Sequence, residues 1–302
     1  MYGYPCIVTA IDQRMTLVAV PIKEKKLRIN APDVGVIEYE EDLDALGVIG
    51  NGFKGVRFVE IAVKLFKEEF GLSFGIAIKT RSEFDVSGLG SSSAAAVCTI
   101  KALSELSGKK LTKKELFNLS YKTILEVQKT GSGFDVVAAG WGGTLFYLFG
   151  GKKIEPLGVK SLPLVIGHSG IKAETPMMIK MVEEKYRKNK KIMGGIFTLM
   201  GKIAKEAKTS LENGNFQKVG ELANFSQGLL EAIGVSCEKL ARLIFAAREA
   251  GAYGAKLSGA GGGDCMIAFV KEEKRKAVES AIQKAGGRVI KVRPNAEGVK
   301  IE

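Results

Sequence analysis

The chain has 302 residues, of which 46% are hydrophobic and 26% charged, and its formal net charge is +12. This composition excludes an intrinsically disordered chain, which combines low hydrophobicity with high net charge. The length allows one large domain or two ordinary ones with ample core. No apolar run reaches the ~20 residues that span a bilayer, so we do not expect a membrane protein.

Four cysteines are widely spaced along the chain: Cys6, Cys98, Cys237 and Cys265. They form no CxxC pair, and the sequence has only one histidine, His168. We therefore expect neither a structural zinc site nor a disulfide scaffold. The N-terminal segment lacks the plan of a signal peptide. These features predict reduced, buried thiols in a cytoplasmic protein.

The positive charge allows two interpretations, which are binding to nucleic acid or a membrane surface, and handling of small phosphorylated anions. Many lysines alternate with glutamates, as in residues 271–276, and this pattern is typical of a solvated helix face. The locally basic segment 180–191 also contains glutamates, and no aromatic-and-basic RNA-binding signature is present. We favour small anions, and expect neither nucleic acid nor membrane as a partner.

The first half of the chain mixes predicted strands with predicted helices. Apolar and β-branched runs predict strands at residues 16–21, 26–30, 36–40, 73–80 and 144–149. Apolar residues at helical spacing predict helices over 53–70, from about 93 to 107, and 112–128. Thr112 and Glu115 form the pattern of a capping box at the start of the last of these helices.

The second half is mainly helical and ends in alternating strands and helix. A strand is predicted at 162–168, and helices at 176–188, 196–213, 215–232 and 236–250. The end of the chain is predicted to contain strand 265–270, helix 272–285 and strand 288–293. This order indicates an α+β protein. The linker-like composition of residues 150–158 predicts two domains, 1–155 and 156–302.

Residues 86–96 form a glycine- and serine-rich turn, VSGLGSSSAAA, that leads into a helix. Its glycines allow unusual backbone angles and the close approach of a ligand. Free N–H groups and the positive dipole at the helix start form a cradle for anions. Ser91 and Ser92 add hydroxyls that can bind phosphate oxygens or a magnesium ion. The loop is not a Walker A motif, because GxxxxGK[ST] is absent, and a helix cap without a ligand is the alternative.

A second turn, GSGFD at residues 131–135, precedes an apolar run. Asp135 at this position is typical of a helix cap. The same carboxylate could project into a site and orient or deprotonate an attacking oxygen during phosphoryl transfer. Taken alone, the pattern favours the cap.

A third loop, KLSGAGGGDC at residues 256–265, contains four glycines within five residues. Such a run costs backbone entropy and offers no side chain for packing. A chain tolerates it mainly where the backbone passes close to something else, such as a ligand. We therefore favour a functional interpretation of this segment, which we call the glycine motif.

Together the three loops resemble the GHMP kinase superfamily of small-molecule kinases. VSGLGSSSAA resembles the ATP phosphate loop of that family, KLSGAGGGDC resembles its C-terminal glycine motif, and residues 1–14 resemble the end of its N-terminal motif. The resemblance covers almost the whole chain. It implies a two-lobed α+β fold, with an N-terminal lobe like a ribosomal-protein domain and a C-terminal ferredoxin-like α/β-plait lobe.

Segments 168–176 and 224–236 resemble the mevalonate-pathway kinases in particular. GSGFDVVAA and the Asp264-Cys265 ending of the glycine motif resemble phosphomevalonate kinases, whereas GLLEAIGVS is closer to archaeal-type mevalonate kinases. The first two segments lie nearest the chemistry. We therefore expect transfer of the γ-phosphoryl of ATP to 5-phosphomevalonate, with mevalonate as the alternative acceptor.

The resemblance also implies roles for individual residues. The phosphates of ATP would lie on Gly88, Leu89, Gly90, Ser91, Ser92 and Ser93. Mg²⁺ would be held by Ser91 and Glu126, and Asp135 would act as base or electrostatic guide. The loop that closes over phosphate and acceptor would be Gly259, Ala260, Gly261, Gly262 and Gly263. The acceptor would contact Ser132, Gly133, Ser169, Lys172 and Thr175.

In the family, a strand and a lysine precede the motif in which this chain begins. We expect lower activity and stability for this form than for a chain extended upstream. A catalytically inactive, nucleic-acid-binding protein on the same scaffold is the competing hypothesis, and ATP-dependent consumption of either acceptor would eliminate it. We expect small-molecule substrates as partners and a homodimer as the assembly.

Overall fold

The computed structural model describes residues 3–47 and 55–302. Met1, Tyr2 and the predicted helix start at 53–54 therefore lie outside the described residues. The strands are β1 (Pro5–Thr9), β2 (Met15–Ile22), β3 (Lys26–Ala31), β4 (Val36–Asp42), β5 (Gly75–Ser82), β6 (Thr144–Leu148), β7 (Lys153–Leu157), β8 (Leu164–His168), β9 (Gly254–Leu257), β10 (Cys265–Phe269) and β11 (Arg288–Ile290). The helices are α1 (Arg57–Phe70), α2 (Ser91–Leu106), α3 (Lys113–Gln128), α4 (Phe134–Trp141), α5 (Thr175–Lys188), α6 (Lys190–Glu212), α7 (Phe216–Ala232), α8 (Glu238–Glu249) and α9 (Arg275–Lys284).

The chain divides into two compact units, each assembled from separate stretches of sequence. The first unit contains the N-terminal segment to Asp12, Val86–Leu89 and Gly143–Ala296. The second unit contains Gln13–Asp85, Gly90–Gly142 and Glu297–Glu302. The predicted boundary between residues 155 and 156 stays a prediction.

The second unit is a four-stranded sheet with helices α1 to α4. The strand order is β2-β5-β3-β4, in which β3 and β5 are parallel and the other pairs are antiparallel. Alternation along β5 buries Ile76 and Ile78, as predicted, while Lys79 is exposed. Val59, Val63 and other residues at helical spacing on α1 are also buried. Each buried aliphatic side chain contributes roughly 1.5–3 kcal/mol.

The first unit contains two antiparallel sheets, with strand orders β1-β6-β7 and β11-β8-β10-β9. The predicted apolar face of α8 is confirmed, because Leu240, Leu243, Ile244 and Ala247 all lie in a core with residues of β8, β9 and β10. The segment 150–158, interpreted as a linker, instead contains a 3₁₀ turn and β7, which pairs along its length with β6. The linker interpretation is therefore wrong.

No helix within residues 3–47 and 55–302 is both long enough and apolar enough to cross a bilayer. The prediction of buried thiols is confirmed for Cys265 and is wrong for the other three cysteines, which are partly exposed.

Candidate active site

Helix α2 begins without a capping side chain. Gly90 precedes the helix in the left-handed conformation (φ +86°), and its carbonyl accepts the first helical hydrogen bond, from Ala94 N–H at 3.0 Å. Within residues 3–47 and 55–302, no side chain caps the N–H groups of the first turn, which contains Ser91, Ser92 and Ser93. Uncapped N–H groups at the positive end of a long helix attract an anion.

Helix α3 shows the contrasting case. Thr112 Oγ1 accepts a hydrogen bond from Glu115 N–H at 3.2 Å, and Glu115 Oε2 accepts one from Thr112 N–H at 2.8 Å. The predicted capping box is confirmed. At the start of α3, side chains therefore pair with backbone N–H groups. At the start of α2, the backbone N–H groups of the first turn are left for a ligand.

Asp135 lies beside the start of α2. A Cβ atom built on Gly90 would lie 3.6 Å from Cβ and 3.7 Å from Oδ1 of Asp135. Asp135 is the second residue of α4, and the residue that precedes this helix is Gly133, with φ +84°. Asp135 is therefore not the helix cap that its local sequence favours, and its carboxylate faces the phosphate-loop backbone instead.

Burial raises the pKa of Asp135 to about 7 from its ordinary value of 3.8. Its carboxylate has no hydrogen-bond or ion-pair partner among the side chains that the structure describes, so nothing offsets the loss of solvation. A carboxyl group that titrates near neutral pH is well suited to accept a proton from a reacting hydroxyl.

The first half of the phosphate loop belongs to the first unit. Val86 and Leu89 pack against Ile166, Cys265 and Ile290 of the sheet that contains β8 and β10. Gly88, with φ +81°, lies so close to the glycine motif that a Cβ atom built on it would be 2.5 Å from Cβ of Asp264. Packing therefore fixes the first half of the loop, and the chain enters the second unit at Gly90.

Most glycines of the glycine motif are required by packing within the first unit. A Cβ atom built on Gly261 would lie 2.1 Å from Val235 O, and one built on Gly263 would lie 2.6 Å from Ile171 O. Gly259 has φ +86° and no atom within 4 Å of its Cβ position. Its neighbourhood is therefore open to a ligand, while the predicted contact of the whole motif with phosphate stays a prediction.

Comparison with known proteins gives consistent relatives over the whole chain. Residues 57–143 match the family described as GHMP kinases N terminal domain, and residues 207–288 match GHMP kinases C terminal. The chain belongs to the GHMP kinase family. Mevalonate kinase of Pyrococcus furiosus is 38% identical over 100% of this chain and 93% of the relative, and that of Pyrococcus horikoshii is 38% identical over 100% and 92%. The crystal structure of Methanococcus jannaschii mevalonate kinase has a TM-score of 0.80 at 27% identity, covering 97% of this chain and 92% of that one.

These relatives confirm the predicted α+β GHMP kinase fold with N- and C-terminal domains, and place the protein in the mevalonate-pathway branch as a small-molecule kinase. They contradict the expected acceptor. Curated relatives over the full length are named mevalonate kinase, so the expectation of a phosphomevalonate kinase is wrong.

The other residues implied by the GHMP kinase resemblance are spread over both units. Ser132 and Gly133 precede α4 in the second unit. In the first unit, Ser169 is buried, and its Oγ lies 3.2 Å from both the backbone N and the backbone O of Ile171. Lys172 is exposed, and Thr175 is the first residue of α5. Their contact with an acceptor stays a prediction.

Glu126, the other predicted magnesium ligand, lies on α3 with 47% of its side chain exposed and Oε2 3.9 Å from Lys129 Nζ. In the described part of the chain, His, Cys, Asp and Glu side chains form no cluster of three or more that could hold a metal ion.

Sequence reasoning gave no indication that Ser87, His168 and Asp264 come together, as they do in the structure. The Ser87 hydroxyl donates a hydrogen bond to Asp264 Oδ1, and its oxygen lies 3.4 Å from His168 Nε2. Two features of the sequence point to these residues: His168 is the only histidine, and Asp264 directly follows the glycines of the glycine motif. Neither feature indicates that the two residues meet at Ser87.

Proposed function

We propose that this GHMP kinase is a mevalonate kinase, which transfers the γ-phosphoryl group of ATP to mevalonate and releases ADP and 5-phosphomevalonate. Full-length curated relatives with that name support the proposal. The structural observation that carries it is the position of Asp135 beside Gly90, at the uncapped start of α2.

The phosphates of ATP would bind at the start of α2. In the described part of the chain, no side chain caps the N–H groups of Ser91, Ser92 and Ser93, and the helix dipole adds positive potential at the same place. Gly90 presents no side chain, so a phosphate oxygen can approach the backbone closely.

Asp135 would accept the proton of the attacking hydroxyl. The hydroxyl oxygen of mevalonate forms a bond to the γ-phosphorus, the bond from that phosphorus to the bridging oxygen breaks, and ADP leaves with the electron pair. With a pKa of about 7, a substantial fraction of Asp135 is ionised near neutral pH and can take the proton. A phosphate acceptor is already ionised at this pH and needs no base (its second pKa is about 6). A carboxylate at Asp135 with a pKa of about 7 therefore supports a hydroxyl acceptor.

Magnesium would arrive with the nucleotide. Mg²⁺ prefers oxygen ligands and usually binds through one or two protein oxygens together with substrate phosphates and water. The Ser91 hydroxyl and the Glu126 carboxylate fit such a set in chemical type, and we propose them as the protein ligands. The bound ion would neutralise negative charge on the transferring phosphates.

A parallel assay with mevalonate and with 5-phosphomevalonate tests the function. We expect ATP-dependent ADP release with mevalonate and turnover at least about a hundredfold lower with 5-phosphomevalonate. Release of ADP with 5-phosphomevalonate in preference to mevalonate would contradict the proposal. Turnover with neither acceptor, by a protein that still melts cooperatively, would also contradict it.

Three further expectations remain proposals: a cytoplasmic location, a homodimeric assembly, and a boundary between functional domains at residues 155 and 156. Size-exclusion chromatography with light scattering would decide the second of these.

A further inference from the structure

Asp264 is hydrogen bonded to two segments that are distant from it in sequence. Its Oδ1 accepts a hydrogen bond from the Ser87 hydroxyl of the phosphate loop and one from Ala173 N–H at 3.2 Å. Its backbone N–H donates to Ile171 O at 2.7 Å, and its carbonyl accepts from Ser169 N–H at 2.8 Å. One residue of the glycine motif thus joins the phosphate loop to residues 168–176, the predicted acceptor segment.

The backbone geometry around Asp264 leaves little freedom. Asp264 itself has φ +55°, in the left-handed region that non-glycine residues seldom adopt. Gly88 approaches it so closely that any side chain at position 88 would collide with Cβ of Asp264. Surrounding contacts must therefore hold both residues in place.

The single histidine fixes the direction of the hydrogen bonds. His168 is buried at the end of β8, and its Nδ1 accepts a hydrogen bond from Gly170 N–H at 3.0 Å. In a neutral ring the proton then lies on Nε2, which is 3.4 Å from Ser87 Oγ. Nε2–H points to Ser87 Oγ, and the Ser87 hydroxyl proton points to Asp264.

We propose that Asp264 is a positioning residue that holds the phosphate loop and the acceptor segment in one arrangement, so that loss of its carboxylate weakens the binding of both substrates. The proposal rests on the kinase function proposed above. It does not require Asp264 to touch either substrate, because its Oδ1 acts through Ser87 and Ala173.

The variants must separate the carboxylate from the backbone. Asp264→Gly deletes the side chain without a penalty for positive φ, because glycine adopts φ near +55° freely. Asp264→Asn keeps an oxygen that can accept from Ser87 and Ala173. Glu38→Gly is the matched control, because Glu38 is also an acidic residue with positive φ (+58°) and lies on β4 in the second unit.

Two measurements are needed. The dissociation constant of the magnesium complex of AMPPNP, a non-hydrolysable ATP analogue, is measured by calorimetry. The values of KM for ATP and mevalonate and the value of kcat are measured by coupled assay. Asp264→Gly should raise the dissociation constant and both KM values about tenfold or more, as expected for loss of hydrogen bonds to a charged group. Asp264→Asn should recover most of each loss, and Glu38→Gly should change none of the values more than twofold.

The proposal is overturned if Asp264→Gly is folded and leaves the dissociation constant and both KM values within twofold of the unmodified protein. It is also overturned if Asp264→Asn is no better than Asp264→Gly. Should Asp264→Gly fail to fold, Ser87→Ala and Ser87→Thr replace it. Ser87→Ala should weaken AMPPNP binding and Ser87→Thr should restore it, and unchanged binding in Ser87→Ala would overturn the proposal.

Failure of the proposed function has a different signature. If the unmodified protein binds AMPPNP but does not phosphorylate mevalonate, the acceptor is wrong, and the AMPPNP measurements still decide the role of Asp264.

Discussion

Asp135 lies directly against the backbone of Gly90, since a Cβ atom built on Gly90 would be 3.6 Å from Cβ of Asp135. Both residues stand at a helix start, Gly90 before α2 and Asp135 in the first turn of α4. This contact places the only side-chain carboxylate of the GSGFD turn beside the residue that precedes α2.

Replacement of this carboxylate should abolish most of the activity. We expect Asp135→Asn to lower kcat with mevalonate by about 10²–10⁴, the usual contribution of a positioned base. In the unmodified protein, kcat/KM for mevalonate should rise with pH and level off above an apparent pKa near 7. Asp44→Asn, at a highly exposed site, serves as the control and should keep full activity. An Asp135→Asn variant within tenfold of the unmodified protein would show that Asp135 is not the base.

The same substitution should stabilise the fold at higher pH. As the pH rises from 3.8 to about 7, the unfolded chain loses the Asp135 proton while the folded chain keeps it. The free energy of unfolding therefore falls across this window, and the full loss is reached above pH 7. The asparagine side chain does not titrate in this range, so the variant lacks this loss of stability. The Tm of Asp135→Asn, relative to that of the unmodified protein, should increase between pH ~4 and pH ~8, and a constant difference would contradict the assigned burial.

Two glycines of the glycine motif should respond differently to alanine. Gly261 and Gly259 have similar φ values, +84° and +86°, but only Gly261 lies against another backbone atom, Val235 O. We expect Gly261→Ala to reduce the free energy of unfolding by about 3 kcal/mol or more, and Gly259→Ala by only about 1 kcal/mol. Chemical denaturation measures both. Although Gly259→Ala should remain folded, we expect it to raise KM for ATP. An unchanged KM would place Gly259 outside the nucleotide site.

The starts of α2 and α3 give a second matched pair. Thr112→Ala should cost about 1 kcal/mol of stability, because Thr112 caps α3, and should leave kcat unchanged. Ser91→Ala should leave stability nearly unchanged, because Ser91 is not a cap, and should lower kcat and raise the magnesium concentration needed for half-maximal activity. Equal activities of the two variants would exclude Ser91 as a ligand for phosphate or magnesium.

The sequence predicted best those elements whose residue pattern lies within a few neighbouring positions. The capping box of α3 needs only Thr112 and Glu115, and the apolar face of α8 is periodic over twelve residues. β7 has no such signal, because Lys, Glu and Pro occupy most of its five positions. It forms a strand because it pairs with the edge of β6. The sequence of β7 alone does not indicate this tertiary contact.

The error in the acceptor has a structural reason. The Asp264-Cys265 ending of the glycine motif is one of the two segments whose resemblance to phosphomevalonate kinases favours a phosphate acceptor. The Oδ1 atom of Asp264 instead accepts hydrogen bonds from the Ser87 hydroxyl and Ala173 N–H within the protein, so packing of the loops accounts for this residue without a phosphate acceptor. Ser87 and Asp264 are 177 residues apart, and the positive φ of Asp264 depends on tertiary contacts, so no local pattern could have revealed this bond.

The pairing of β1 with β6 affects how the protein can be made. Pro5 faces Leu148, and Thr9 faces Thr144, so β1 is translated well over a hundred residues before β6, the strand with which it pairs. A ribosome-bound nascent chain therefore exposes an unsatisfied strand edge for many seconds, since synthesis proceeds at roughly 5–20 residues per second. Translation speed and chaperone supply should accordingly influence the yield of active enzyme when the gene is expressed in a foreign host.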